Sequence, residues 1–311
     1  MKRTWRQIDG VLLFDKPLEL SSNTALQKIR RLFQAEKAGH TGTLDPLATG
    51  LLPVCFGEAT KFSNALLDAD KTYRARLCLG KTTTTGDVEG EVISEHPVCV
   101  ELSDIEAVLE RFRGEIRQMP PMYSALKHQG KPLYEYIRQG ITIERPLRDV
   151  VIYDLVLNSF SGVELDITVR CSKGTYVRTL AEDIGAALGC GAHLTSLRRT
   201  AIAHFNLDDG YDLQRLTAMS DLERDACLLP LVSLMPDMPR LNLDAILTKR
   251  IAQGQRLSLD TGLPDGKVGL YGPNGFIGVG LQQGRRISPE RLLSGVALQA
   301  ARADLTEVVE Q

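Results

Sequence analysis

No two cysteines in this chain form a C-x-x-C pair. The six, Cys55, Cys78, Cys99, Cys171, Cys190 and Cys227, are scattered, and the five histidines are equally dispersed. Neither a zinc cluster nor a dithiol redox motif is indicated, no metal site is expected, and the cysteines read as reduced, mostly buried small hydrophobes. A run of about 18 apolar residues is also missing, so no membrane span is expected. The basic start, Met1 to Arg6, precedes only a short apolar stretch, Val11 to Phe14. That is too short for a signal-peptide core, and the cytoplasm is the expected compartment. Gly, four residues, then Gly-Lys-Ser/Thr does not occur, nor does a dinucleotide fingerprint, which removes the common phosphate cradles. Charge of one sign is missing too: 37 basic and 39 acidic residues leave a net charge of −2. Bulk charge therefore argues weakly against a polyanionic partner, although a local patch is what counts. No internal repeat or low-complexity tract is present.

What the chain does have is one dense stretch, Gly39-His40-Thr41-Gly42-Thr43-Leu44-Asp45-Pro46-Leu47-Ala48-Thr49-Gly50. Glycine permits positive φ and close backbone approach, so a run this rich in glycine and threonine reads as a shaped loop. Asp45 is the only acid between Glu36 and Glu58. The competing reading makes Asp45 a helix N-cap with Pro46 at the first helical position. That alternative leaves His40 and the Gly-Thr pairs without a purpose.

At 311 residues, the chain is expected to hold two domains, or one large and one small. Ile8 to Phe14 reads as a strand, and Ser21 or Ser22 caps a helix from about Asn23 to Phe33. Leu51 to Phe56 reads as a buried strand and Ala59 to Leu67 as a short helix. From Lys71 to Gly80 the pattern alternates, with Tyr73, Ala75, Leu77 and Leu79 on one face and Thr72, Arg74 and Arg76 on the other. Lys81 to Glu95 reads as a hairpin region, and Ser103 as the cap of a helix from Asp104 to Phe112. Val150 to Ser159, Val163 to Ser172 and Leu194 to Phe205 read as strands. Thr175 is expected to cap a helix from Tyr176 to Leu188, with Gly189 ending it. Arg178 then sits in the first turn, where the helix dipole mildly disfavours a cation, which hints at an anionic partner. Leu213 to Leu229 is helical and acidic. Prolines 230, 236 and 239 mark a linker. A helix from Leu241 to Gln253 and short strands around the turn Asn274-Gly275 describe a small β-barrel. The final ten residues look frayed.

Lys127, His128, Lys131, Arg138, Arg145 and Arg148 are interleaved with Tyr123, Tyr134 and Tyr136 between residues 123 and 148. Cations among aromatics suit RNA, where phosphates and exposed bases are both partners. Arg198-Arg199 is a second basic pair. Each cluster alone is more often a solvated face.

Several separated stretches resemble the bacterial tRNA pseudouridine synthase B family. They are Asp15-Lys16-Pro17, the loop from Ala38 to Gly50, Lys71-Thr72-Tyr73, Met122 to Lys127, and Cys171-Ser172-Lys173-Gly174-Thr175-Tyr176-Val177-Arg178-Thr179. The resemblance runs from about residue 8 into the C-terminal barrel. Thr43 departs from it, standing where many members carry alanine, as does Thr84, where an aspartate is common. The resemblance implies isomerisation of uridine to pseudouridine at position 55, in the T-loop of tRNA. It puts Asp45 on the catalytic aspartate and Arg178 on its partner. His40, Tyr73, Tyr176 and Leu197 fall on the uridine site, and Lys16 on the family's Lys-Pro motif. Tyr73 is expected to stack on the flipped base and to take the C5 proton.

The reaction is a net-neutral isomerisation, so no cofactor is expected. The expected partner is the T-arm stem-loop of tRNA, with no membrane, no obligatory protein partner and a monomeric chain. The expected fold class is α+β, a mixed, largely antiparallel sheet with flanking helices and a cleft across its middle. Residues 1–236 form the expected catalytic domain and 240–301 a PUA-like RNA-binding barrel. Three rivals remain: a non-catalytic RNA-binding or tRNA-folding protein, a guide-RNA-dependent relative, and a metabolic enzyme for a small phosphate compound.

Overall fold

Lys71–Leu79, the segment that alternates most cleanly, lies in the middle of a ten-stranded sheet in the computed structural model, which describes residues 5–295. Ala75, Leu77 and Leu79 are buried while Arg74 and Arg76 face outward, as the alternation predicts. The expected frayed final ten residues, and the last part of the barrel expected to end at 301, lie outside the described residues.

The chain opens with β1 (Gly10–Lys16), α1 (Ser22–Leu32), β2 (Ala38–His40), β3 (Ala48–Phe56), α2 (Asn64–Leu67) and β4 (Lys71–Leu79). A hairpin of β5 (Lys81–Thr83) and β6 (Val92–Glu95) leads to α3 (Leu102–Arg111) and β7 (Gly114–Gln118). An insertion with β8 (Lys127–His128), β9 (Lys131–Pro132) and α4 (Leu133–Ile137) precedes β10 (Arg148–Ser161). Next come β11 (Glu164–Cys171), α5 (Val177–Ala187), β12 (Ala192–Ile202), β13 (Phe205–Asn206), β14 (Tyr211–Asp212), α6 (Leu213–Ala218) and α7 (Asp221–Ala226). The last unit holds β15 (Arg240–Asn242), α8 (Ala245–Ala252), β16 (Leu257–Ser258), β17 (Gly266–Gly272), β18 (Gly275–Gln283) and β19 (Arg286–Leu292).

The main sheet runs β14-β1-β3-β12-β4-β11-β10-β7, with β2 on β3 and β13 on β12. Among the described residues, the parallel pairs of this sheet are β1 with β14 and β3 with β12. The sheet is therefore mixed and largely antiparallel, and the chain is α+β as expected. The last unit is a curled five-stranded sheet, β15-β17-β18-β19-β16, a half-barrel consistent with a PUA-like domain. One apolar core lies between β4, β10, β11 and β12 and helices α3 and α5; a second joins β1 and β3 to α1. Tyr73 and Leu197 touch both cores and so stand at the seam between them.

Local chemistry moves several boundaries. Pro46 does not begin a helix: residues 46 and 47 form a turn closed by Ala48 N–H on Asp45 O at 3.0 Å, and β3 starts at Ala48. Glu101, not Ser103, caps α3, in a capping box with Asp104. Tyr176, not Thr175, is the N-cap of α5; the Thr175 hydroxyl donates to Ser172 O at 3.0 Å instead. The 59–67 segment divides into a 3-10 helix, Gly57–Lys61, and α2. The expected helix from Leu241 begins only at Ala245, because Arg240–Asn242 pairs in parallel with β17.

Gly50 is a tight point beside the central loop. Its φ is +100°, and a Cβ there would lie 2.3 Å from Arg199 O. Replacement Gly50→Ala should destabilise the protein by at least about 2 kcal/mol through strain and overpacking. A lowered urea midpoint with unchanged slope is the expected reading.

Candidate active site

The Gly-Thr-rich loop is pinned from three sides. Ser22 in the first turn of α1 binds Leu44 twice: its hydroxyl donates to Leu44 O at 2.9 Å and accepts from Leu44 N–H at 2.7 Å. Glu19 N–H donates to Pro46 O at 3.0 Å. From below, the Arg199 guanidinium donates to Leu51 O at 2.7 Å and Gly42 O at 3.2 Å. Arg199 is 1% exposed, so it props the loop and does not offer a phosphate contact, contrary to the sequence expectation. Its neighbour Arg198 is engaged by Asp15 through two hydrogen bonds, at 2.6 and 3.1 Å.

The loop so held presents Asp45 to Arg178. Nη2 of Arg178 lies 3.1 Å from Asp45 Oδ2, and Nη1 lies 3.1 Å from Asp87 Oδ2. The Asp87 side chain is 3% exposed and the Asp45 side chain 48%. One buried guanidinium is thus shared between a buried carboxylate and a half-open one. It also donates to Thr85 O and Tyr123 O. Asp87 is itself fixed by the Thr85 hydroxyl and by Glu89 N–H. The first-turn cation of α5 therefore does have anionic partners, two of them.

A cleft of about 190 Å³ opens beside this pair, lined by Asp45, Tyr73, Tyr176, Arg178 and Leu197, with Thr43, Leu44, Ala48, Ser124, Ala125, Thr175 and Val177. The sequence-predicted Asp45, Tyr73, Tyr176, Arg178 and Leu197 are thus brought together. Burial pushes the Tyr73 phenol up, opposed by the Arg199 charge. Burial likewise raises the Tyr176 phenol, opposed by the Ser124 hydroxyl. Glu89 and Glu182, close to Arg178 and Asp87, are raised mainly by burial.

His40 and Lys16 do not line the cleft. His40 ends β2 opposite Val54, its Nδ1 buried without a hydrogen-bond partner and its imidazole pushed down by burial and then by Arg199. Lys16 is fully buried, with Nζ donating to Pro17 O at 2.9 Å and Leu20 O at 2.6 Å. It shapes the turn that carries Glu19 to the Asp45 loop. Sequence reasoning assigned no role to Asp87 or Gln118, and offered Ser22 only as one of two candidate caps for the first helix. None of these contacts is visible in the sequence: Asp87 stands among other acids, Glu89 and Glu91, with its partner 91 residues away, and the partners of Ser22 and Gln118 are backbone groups 22 and 58 residues along the chain. No group of three or more metal-ligating side chains occurs among the described residues.

A mixed sheet with this aspartate loop at its seam is a pseudouridine synthase scaffold. The fold matches a solved Cbf5–Nop10–Gar1 complex with a TM-score of 0.69 and 26% identity, covering 91% of this chain and 84% of that one. Family models agree along the chain: TruB family pseudouridylate synthase, N-terminal domain, at 30–177; tRNA pseudouridylate synthase B C-terminal domain at 178–235; and pseudouridine synthase II TruB, C-terminal, at 239–293. Proteins named tRNA pseudouridine synthase B from Methylobacillus flagellatus and Chromobacterium violaceum are each 55% identical, over 94% of this chain and 97% of their own length. The chain belongs to the TruB family of pseudouridylate synthases, tRNA-processing isomerases that convert uridine to pseudouridine.

Lys16 gives a pH-dependent prediction. Burial lowers its ammonium to about 8 from 10.5, against the pull of Asp45 and with the push of Arg199. Above that value the native state releases a proton that the unfolded chain keeps, so unfolding free energy rises with pH. Wild type should therefore gain stability relative to Lys16→Met between about pH 8 and pH 10.5. Denaturant titrations of both proteins across that window, read as a difference, test the sign.

Proposed function

We propose that this chain converts uridine 55 in the T-loop of tRNA to pseudouridine, with Asp45 as the catalytic carboxylate. The observation that carries this reading is the half-exposed Asp45, aimed along the cleft by a buried guanidinium whose other side is neutralised by Asp87. The reaction breaks the glycosidic C–N bond and makes a C–C bond at the same sugar carbon. Nothing is oxidised or reduced, and the C5 proton is exchanged for one at nitrogen. A fixed anion beside the sugar and base assists departure of the base, either by covalent addition or by charge stabilisation. The adjacent Arg178 guanidinium, 3.1 Å away, fixes the direction in which the carboxylate points.

A cleft of about 190 Å³ suits a single base and not a duplex, so the target nucleotide leaves its stack before reaction. We assign Tyr73 as the stacking ring, with Leu197 and Tyr176, which line the same cleft, as the remaining apolar walls. Tyr73 is also the group proposed to accept the C5 proton; the nearby Arg199 charge eases development of phenolate character. We assign His40 to RNA contact at the loop rim, and Lys16 to the shape of the loop.

Affinity comes from the insertion between β7 and β10. Lys127 and Lys131 sit on its hairpin, Arg138 stacks 5.5 Å from the half-exposed Tyr134 ring, and Arg145 is tied to Pro120 O at 3.0 Å. Phosphate contacts of this kind give salt-dependent binding. Residues 1–236 act as the catalytic domain and 240–301 as a PUA-like RNA-binding domain, in one chain that needs no obligatory protein partner.

The test is a pseudouridine assay on an unmodified T-arm stem-loop. Asp45→Asn should abolish conversion while RNA affinity stays within about threefold, since the substitution removes a transition-state contact and not a binding one. Conversion at the wild-type rate would rule out the carboxylate role. Tyr73→Phe keeps the ring and loses the hydroxyl; turnover should fall by about a hundredfold or more if it is the general base. Normal turnover would remove Tyr73 from proton transfer and leave only stacking.

A further inference from the structure

Gln118 is buried, polar and outside the cleft, yet both halves of its side-chain amide are committed to one residue. Tyr176 N–H donates to its Oε1 at 3.0 Å, and its Nε2 donates to Tyr176 O at 3.3 Å. It is 2% exposed. Tyr176 is the N-cap of α5 and has no side-chain cap of its own. Its backbone is extended, with φ −101° and ψ 108°, so its N–H and C=O project sideways as in a strand. The primary amide answers them as a neighbouring strand would.

The place of Gln118 in the sheet adds a second observation. It is the last residue of β7 and pairs with Arg148, the first residue of β10. The insertion of residues 119–147 leaves and returns at this pair. Five residues on, Tyr123 O accepts from Arg178 Nη2, and Ser124 lines the cleft. The insertion's root thus grips the start of α5 twice, once at the Tyr176 backbone and once at the Arg178 guanidinium.

We infer that Gln118 is a positioning residue for the isomerisation. It acts through the Tyr176 backbone to set the entry of α5, and with it the placement of the Tyr176 ring and of Arg178 against Asp45. It also makes that placement depend on the seating of the insertion, so RNA held by the insertion is registered at the carboxylate pair. The inference rests on the reading of Asp45 as the catalytic group.

The experiment compares wild type, Asp45→Asn, Gln118→Leu and Gln118→Glu on an unmodified tRNA transcript, with affinity, single-turnover rate at saturating enzyme, and thermal midpoint measured for each. Gln118→Leu removes both hydrogen bonds at similar volume. Its single-turnover rate should fall by about tenfold or more, since small misplacement of reacting groups is costly, with RNA affinity changed less than about threefold. Gln118→Glu keeps the acceptor for Tyr176 N–H but sets an oxygen against Tyr176 O. Burial and that contact both hold the introduced carboxyl towards its protonated form, which restores the donor. Its activity relative to wild type should therefore rise as pH falls, a profile that a merely structural role would not produce. Turnover of Gln118→Leu within twofold of wild type would overturn the inference, as would a pH profile of Gln118→Glu parallel to wild type. Failure of both variants to fold would also overturn it, by making the contact purely structural. An active Asp45→Asn protein would instead defeat the reading of the site itself.

Discussion

A single buried guanidinium, Arg178, holds two carboxylates of different character. Asp87 is buried and tied to its own loop, and Asp45 is half open to the cleft. An unpaired cation at that depth would be strongly unfavourable, so Arg178 requires a permanent partner. Asp87 is that partner, and this leaves the other edge of the guanidinium free to orient Asp45 without burying it. The first turn of α5, the Thr85–Asp87 loop, Tyr123 and the Asp45 loop all converge on this one group.

The geometry around it is held mostly by side chains that bind backbone. Ser22 clasps Leu44, Lys16 ties Pro17 and Leu20, Arg199 spans Gly42 and Leu51, and Gln118 brackets Tyr176. A loop fixed by such contacts loses little freedom when substrate arrives, which is what preorganisation requires. Arg199 and Lys16 do this at the cost of buried charge without a carboxylate among their hydrogen-bond partners. The lowered ammonium of Lys16 is the trace of that cost.

Much of this arrangement could be read in the residues. Alternation in Lys71–Leu79 set both the strand and the inward face of Tyr73, because a period of two has no other reading at that length. Arg178 at a helix N-terminus signalled an anion, and the structure supplies Asp45 and Asp87. Asp87 itself carried no function in the sequence, since its partner lies 91 residues away. Pro46 left a helix start open as the competing reading: its dipeptide is equally at home in a turn, and the pull of β3 towards β1 and β12 decided for the loop. The Arg198-Arg199 pair looked like a phosphate contact because adjacency in sequence hides that neighbouring strand residues face opposite sides. One arginine is buried under the loop and the other is spent on Asp15.

The parallel pairing of β3 with β12 has a consequence for how the protein is made. Leu197 to Arg199 lie against Ala48 to Gly50, the part of that edge of β3 that β2, paired at Val54 to Phe56, does not cover. While the chain is being synthesised, β1 and β2 can close on β3 as local antiparallel pairs, but the Ala48 to Gly50 part of its second edge stays bare until residue 199 has emerged. The same wait applies to the Asp45 loop, whose prop is Arg199. Contacts of such sequence separation form late and slowly. An apolar strand left with an open edge in that interval is a template for pairing with other chains. The order of strands that brings Asp45 to Leu197 thus also sets the stage of synthesis at which the nascent chain is most exposed to aggregation.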